Sequence, residues 1–110
     1  GQGVWPALWM LGANFPEVGW PQSGEIDIVE LLGQEDDRVY GTVHWQNEGN
    51  KAQFPNTGAG GKKLSGGENY HAQYHVFSLV WQETQLEWFV DGVSYLKFDI
   101  TEYLQMLAER

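Results

Sequence analysis

Glu25-Ile26-Asp27-Ile28-Val29-Glu30 sets three carboxylates into an otherwise apolar run that reads as a buried strand. Burying an unpaired carboxylate is costly, so such a run needs a reason for carrying three. In a regular strand the side chains alternate, which puts Glu25 and Asp27 on one face and Ile26 and Ile28 on the other. Glu30, three residues after Asp27, then falls on the wrong face. One extra residue around Ile28-Val29, a β-bulge, returns it to the side of its partners. The outer acids of the row are then about 13 Å apart at Cα, at ~3.3 Å per step. Glutamates leaning inward can close to ~5–5.5 Å, the separation at which two carboxyl groups cleave a glycosidic bond with retention. The competing reading of this stretch alone is an edge strand whose acids face solvent.

The stretch Gly24–Glu30 resembles the signature of glycoside hydrolase family 16, in the bulged form typical of laminarinases and other β-1,3-glucanases. Upstream, Gly3-Val4-Trp5-Pro6-Ala7-Leu8-Trp9-Met10-Leu11-Gly12 is similar to a tryptophan-rich strand of that family, and Gly19-Trp20-Pro21 follows it. Downstream, Gly41-Thr42-Val43-His44-Trp45, Tyr74–Trp81 and Leu86–Gly92 resemble later family strands. The resemblance implies a curved β-jelly roll with substrate lying across the concave face. It makes Glu25 the nucleophile and Glu30 the general acid/base of a retaining reaction through a covalent glycosyl-enzyme. Asp27 is expected to hydrogen-bond to Glu25 and tune its charge. Close carboxyls cannot all ionise at their reference pKa, and the expected role of Glu30 requires it to hold a proton.

Composition narrows the partners. Net charge is −9 with only six basic residues, which argues against a nucleic-acid stripe and against anionic membrane surfaces. A neutral polysaccharide is compatible with it, and six tryptophans suit both strands and sugar platforms. No apolar run reaches membrane-spanning length, and no signal peptide opens the chain. The absence of cysteine permits secretion, and the resemblance implies an extracellular or periplasmic setting. The 110 residues allow one domain at most, whereas the family's catalytic domain is about twice that length. Residues 1–110 are therefore expected to be the central part of a catalytic domain, with flanking strands elsewhere and exposed sheet edges prone to association.

The remaining pattern is strand after strand. Strands are predicted at 4–11, 25–32, 38–46 and 74–82, with a hairpin of 86–90 and 93–98 across Asp91-Gly92. Val39, Gly41, Val43 and Trp45 alternate with Tyr40, Thr42, His44 and Gln46. Residues 12–24 and 33–37 read as loop and turn, and 47–69 as a long polar, glycine-rich loop with room for one short strand. Residues 101–110 switch to helical spacing, with Thr101 as the N-cap. Many strands, many turns and little helix read as an all-β antiparallel sandwich.

Substrate-binding candidates are Trp20, Trp9 and Trp5, in that order, against a competing reading of core packing. His44 shares the polar face of its strand with Thr42 and Tyr40 and is a candidate donor to a sugar hydroxyl or to the acids. His71 and His75 are spaced for a metal pair only on a helix, and their segment reads as strand, so structural hydrogen bonding is expected of His75. No cofactor and no metal are expected from these residues; the structural calcium common in the family takes its ligands from segments outside them. The expected activity is endo-hydrolysis of a β-glucan, most of all at β-1,3 linkages. The rivals are a non-catalytic β-glucan recognition protein on the same scaffold and a hydrolase of a β-linked galactan such as agarose.

Overall fold

The computed structural model describes residues 1–46, 56–63 and 68–101, with 56–63 described as backbone. Seven strands form two antiparallel sheets, as an all-β sandwich requires. The first sheet holds β1 (Ala7–Leu11), β2 (Glu25–Leu31), β3 (Arg38–Trp45) and β4 (Asn56–Lys63), in that spatial order. The second holds β5 (Phe77–Trp81), β6 (Gln85–Val90) and β7 (Val93–Asp99), also in sequence order. Among the described residues β1, β4, β5 and β7 are the sheet edges.

Period-two alternation builds the core between the sheets. Val39 and Val43 of β3 and Leu86, Trp88 and Val90 of β6 are buried, and Ile26, Leu31 and Phe77 pack against them. Trp88 is fully buried, at 0% exposure, beneath Gly41 of β3. A Cβ at position 41 would stand 2.5 Å from Trp88 Cδ1, so only glycine leaves room for the indole there. The Trp88 Nε1–H donates to the backbone oxygen of Asp27 at 2.9 Å, tying the second sheet to the carboxylate strand.

The β6–β7 turn forms at Asp91-Gly92, whose φ values of 51° and 79° are both positive, as a two-residue type I′ hairpin demands. The Asp91 carboxylate accepts the Val76 N–H at 2.8 Å and lies 2.7 Å from His75 Nδ1, the structural hydrogen bonding expected of that histidine.

Several boundaries differ from the sequence reading. β1 begins at Ala7 rather than at residue 4, because Pro6 has no N–H to give a ladder. The Pro6 and Val4 carbonyls nonetheless accept the Leu31 and Gly33 N–H groups, at 3.0 and 2.8 Å. β5 begins at Phe77 rather than at residue 74, and Tyr74 is fully exposed. The loop at 12–24 contains a one-turn helix, α1 (Phe15–Val18), too short to show a helical period. β4 lies in the glycine-rich stretch read mainly as loop. It pairs with β3 in unbroken register, from Arg38↔Lys63 to Trp45↔Asn56. Backbone pairing to an open neighbouring edge, rather than side-chain pattern, specifies that strand. Thr101 is helical, but its N–H is bonded to Asp99 Oδ1 at 2.8 Å, so Asp99 supplies the cap expected of Thr101. Residues 102–110 of the expected helix lie outside the described residues.

Candidate active site

The expected irregularity is present in β2. Asp27 pairs with Thr42 and Glu30 with Tyr40 across the β2–β3 ladder, so Ile28 and Val29 together oppose Gly41. On the β1 side Val29 pairs with Leu8 and Asp27 with Trp9, which leaves Ile28 as the extra residue. The bulge turns Val29 into the core and Glu30 to the face that carries Glu25 and Asp27. Gly41 sits opposite the bulge, and the Trp88 indole occupies the space that a side chain there would fill.

Asp27 occupies the middle of the row and is 2% exposed. Its carboxyl is pushed up to about 8, first by burial, then by its hydrogen bond to Glu25 and the charge of Glu30. The buried central carboxyl of the row therefore holds its proton to higher pH than a free aspartate does. The raised group is Asp27, because it is the buried member of the row and has an acid on either side. His44 Nε2 lies 3.3 Å from Asp27 Oδ2.

A stability consequence follows. The native state binds the Asp27 proton more tightly than the unfolded chain does. Its contribution is full below about pH 4, falls as pH rises, and is gone above about pH 8. Asp27→Asn, which cannot ionise, is expected to lose less stability than wild type between pH 4.5 and 8 in urea titrations. Parallel losses in the two proteins would remove Asp27 as the proton's owner.

The outer acids each receive an indole donor. Trp20 Nε1–H donates to Glu25 Oε2 at 2.6 Å, and Trp5 Nε1–H donates to Glu30 Oε2 at 2.9 Å. Gly19 and Gly24, at φ of 73° and 75°, frame the loop that brings Trp20 over the strand. The Trp20 ring centroid lies 5.7 Å from that of His44. Trp9 stands across from Asp27 in the β1–β2 ladder. Trp5, Trp9 and Trp20 are 68%, 52% and 45% exposed and are not part of the core formed among the described residues. Open aromatic rings beside a carboxylate row suit the apolar faces of pyranose sugars.

The structure brings Glu25, Asp27, Glu30, Trp5, Trp20 and His44 to one region, and it adds two indole donors to the acids that spacing did not signal. Alternation alone could have placed Trp5 on the face of Glu30, once the strand order was known. Tyr40, across from Glu30, donates its hydroxyl to the Glu35 carboxylate, a pairing that no spacing rule signals.

Two other features fall to either side of this face. A cavity of about 430 Å3 opens near Glu25 and His44, but Ile26, Val43, Leu86 and Phe98 among its walls make it a gap between the sheets rather than a sugar cleft. Glu25, Asp27 and His44 each offer a ligand atom, all within 4.8 Å of one another. Two carboxylates and an imidazole do not suit calcium, which takes six to eight oxygens, so these residues do not fit the structural ion.

The family model for glycosyl hydrolases family 16 matches residues 1–106. A glucan endo-1,3-beta-glucosidase A1 of Niallia circulans is 38% identical over 104 residues, spanning 88% of this chain and 14% of that protein. A beta-1,3-glucan-binding protein of Penaeus monodon is 36% identical over 105 residues, spanning 90% of this chain and 28% of that protein. Among solved structures, the laminarinase catalytic domain of Thermotoga maritima superposes with a TM-score of 0.81 at 41% identity, covering 96% of this chain and 41% of that one. The chain therefore spans well under half the length of these relatives.

Proposed function

The chain belongs to glycosyl hydrolases family 16, and from that premise we propose that it carries the reacting carboxyls of a retaining endo-β-glucanase acting on β-1,3 linkages. The observation that carries the reading is the bulge that turns Glu30 onto the face of Glu25 and Asp27, with an indole donor on each outer acid. Glu25 attacks the anomeric carbon while Glu30 gives its proton to the departing glycosidic oxygen. Glu30 then takes a proton from water, which displaces Glu25 and releases the sugar with its configuration retained. Asp27, neutral below about pH 8, adds no third negative charge beside Glu25. As charge leaves Glu25 in the covalent step, the Asp27 hydroxyl and the Trp20 N–H adjust to the oxygen that remains free. Trp20, Trp9, Trp5 and His44 bind the glycan around this row.

A polymer of this kind does not cross a membrane, which supports an extracellular or periplasmic setting. The test is to incubate the full-length protein with laminarin, mixed-linkage glucan and agarose, and to follow reducing ends and the anomer first released. Preferred cleavage of laminarin with the β-anomer released first supports the reading. Preferred cleavage of agarose moves the substrate to a galactan. The similarity to a glucan-binding protein favours one second reading, recognition without cleavage. Laminarin bound but never cut would establish it, although all three acids are present here.

A further inference from the structure

The geometry points to Trp5 as a positioning residue for Glu30, one that orients the acid/base carboxyl through the indole N–H. The inference rests on the proposed hydrolase function and adds to it a residue whose sequence signature suggested only a sugar platform.

Local chemistry fixes Trp5 in place. Pro6 restricts the preceding residue to extended backbone. The Leu31 N–H bonds the Pro6 carbonyl at 3.0 Å and the Gly33 N–H bonds that of Val4 at 2.8 Å, so the backbone on both sides of Trp5 is tied to the end of β2. Ala7 pairs with Glu30, and Trp5, two residues earlier, projects to the same face. Its Nε1–H reaches Glu30 Oε2 at 2.9 Å. Indole nitrogen is a donor only, so Glu30 Oε2 is the acceptor in this bond. It selects one oxygen, leaving Oε1 as the one able to carry the proton toward a leaving group. With the ring 68% exposed, the bond is reached by water in the free protein and shielded once a sugar covers it.

The groups that face Glu30 are few. Asp27 and Glu25 lie on its own strand; Tyr40 stands opposite on β3, with His44 further along; β1 contributes no titratable side chain. Asp27 is hydrogen-bonded to Glu30 from the same strand, and Trp5 adds a donor that reaches it from the chain leading into β1.

Trp5→Phe keeps a ring and deletes the donor. Activity of wild type, Trp5→Phe and Trp5→His on laminarin would be measured from pH 4 to 9 in the full-length protein. Without the donor the Glu30 carboxyl is free to turn away from the orientation that the indole gives it. At the wild-type optimum kcat is expected to fall about tenfold, with KM changed less than about threefold. Trp5→His, which retains a ring N–H, is expected to recover part of the kcat loss. An unchanged kcat with a raised KM would overturn the inference and leave Trp5 as a sugar platform only. A protein that keeps native circular dichroism separates these outcomes from misfolding. If wild type cleaves none of the glycans, the failure belongs to the proposed function rather than to Trp5.

Discussion

Glu25→Gln in the full-length protein is expected to lower turnover of laminarin by at least about 10⁴-fold while leaving glycan affinity within a few-fold of wild type. The amide has the shape of the carboxylate and still accepts the Trp20 N–H, but it cannot form the glycosyl ester. Glu30→Gln removes the proton donor and is expected to cost about 10²–10⁴-fold, the usual worth of general acid–base catalysis. Alanine variants separate the two roles on a substrate with an activated leaving group. Azide added to Glu25→Ala enters from the face the nucleophile has vacated and gives the α-glycosyl azide. Azide added to Glu30→Ala attacks the glycosyl-enzyme and gives the β-glycosyl azide. Product configuration, read by proton NMR, assigns each acid independently of rate. The same anomer from both variants, or a Glu25→Gln protein that still turns over within tenfold of wild type, would refute the assignment.

Trp88→Ala carries the largest expected effect on stability, about 3–5 kcal/mol. The indole is fully buried against Leu86, Val43 and their neighbours, and its removal also takes the donor from the Asp27 backbone oxygen. Gly41→Ala attacks the same contact from the other side, since the new methyl would collide with Trp88 Cδ1. Overpacking of this kind costs about 1–3 kcal/mol. Urea denaturation of both variants, alone and combined, measures the coupling. The two losses should be strongly non-additive, because with Trp88 gone the alanine methyl has nothing to meet. Trp88→Phe offers a milder probe, expected to weaken catalysis more than its stability loss would suggest, because the anchor on the bulged strand is lost while the core stays filled. Additive losses in the double variant would mean that Gly41 serves the bulge rather than the indole.

Local chemistry wrote much of this protein in plain view. Three acids at the spacing of Glu25, Asp27 and Glu30 in an apolar strand demanded one extra residue, and the register supplies it at Ile28. The Asp91-Gly92 turn and the alternation through β3 and β6 were legible for the same reason: each is a property of adjacent residues. β4 was not, because Thr57-Gly58-Ala59-Gly60-Gly61 carries no apolar alternation and becomes strand through hydrogen bonds to β3. Which acid keeps its proton was equally hidden. Burial is the largest cause that holds the proton on Asp27, and it arises only when β2 lies between its neighbours and under the second sheet. The indole donors of Trp5 and Trp20 come from residues 25 and 5 positions away from the acids they bond. Sequence fixes which side of a strand a residue occupies, since the chain's own geometry alternates faces; contact between strands, the source of proton affinity and orientation, exists only after the sheets assemble.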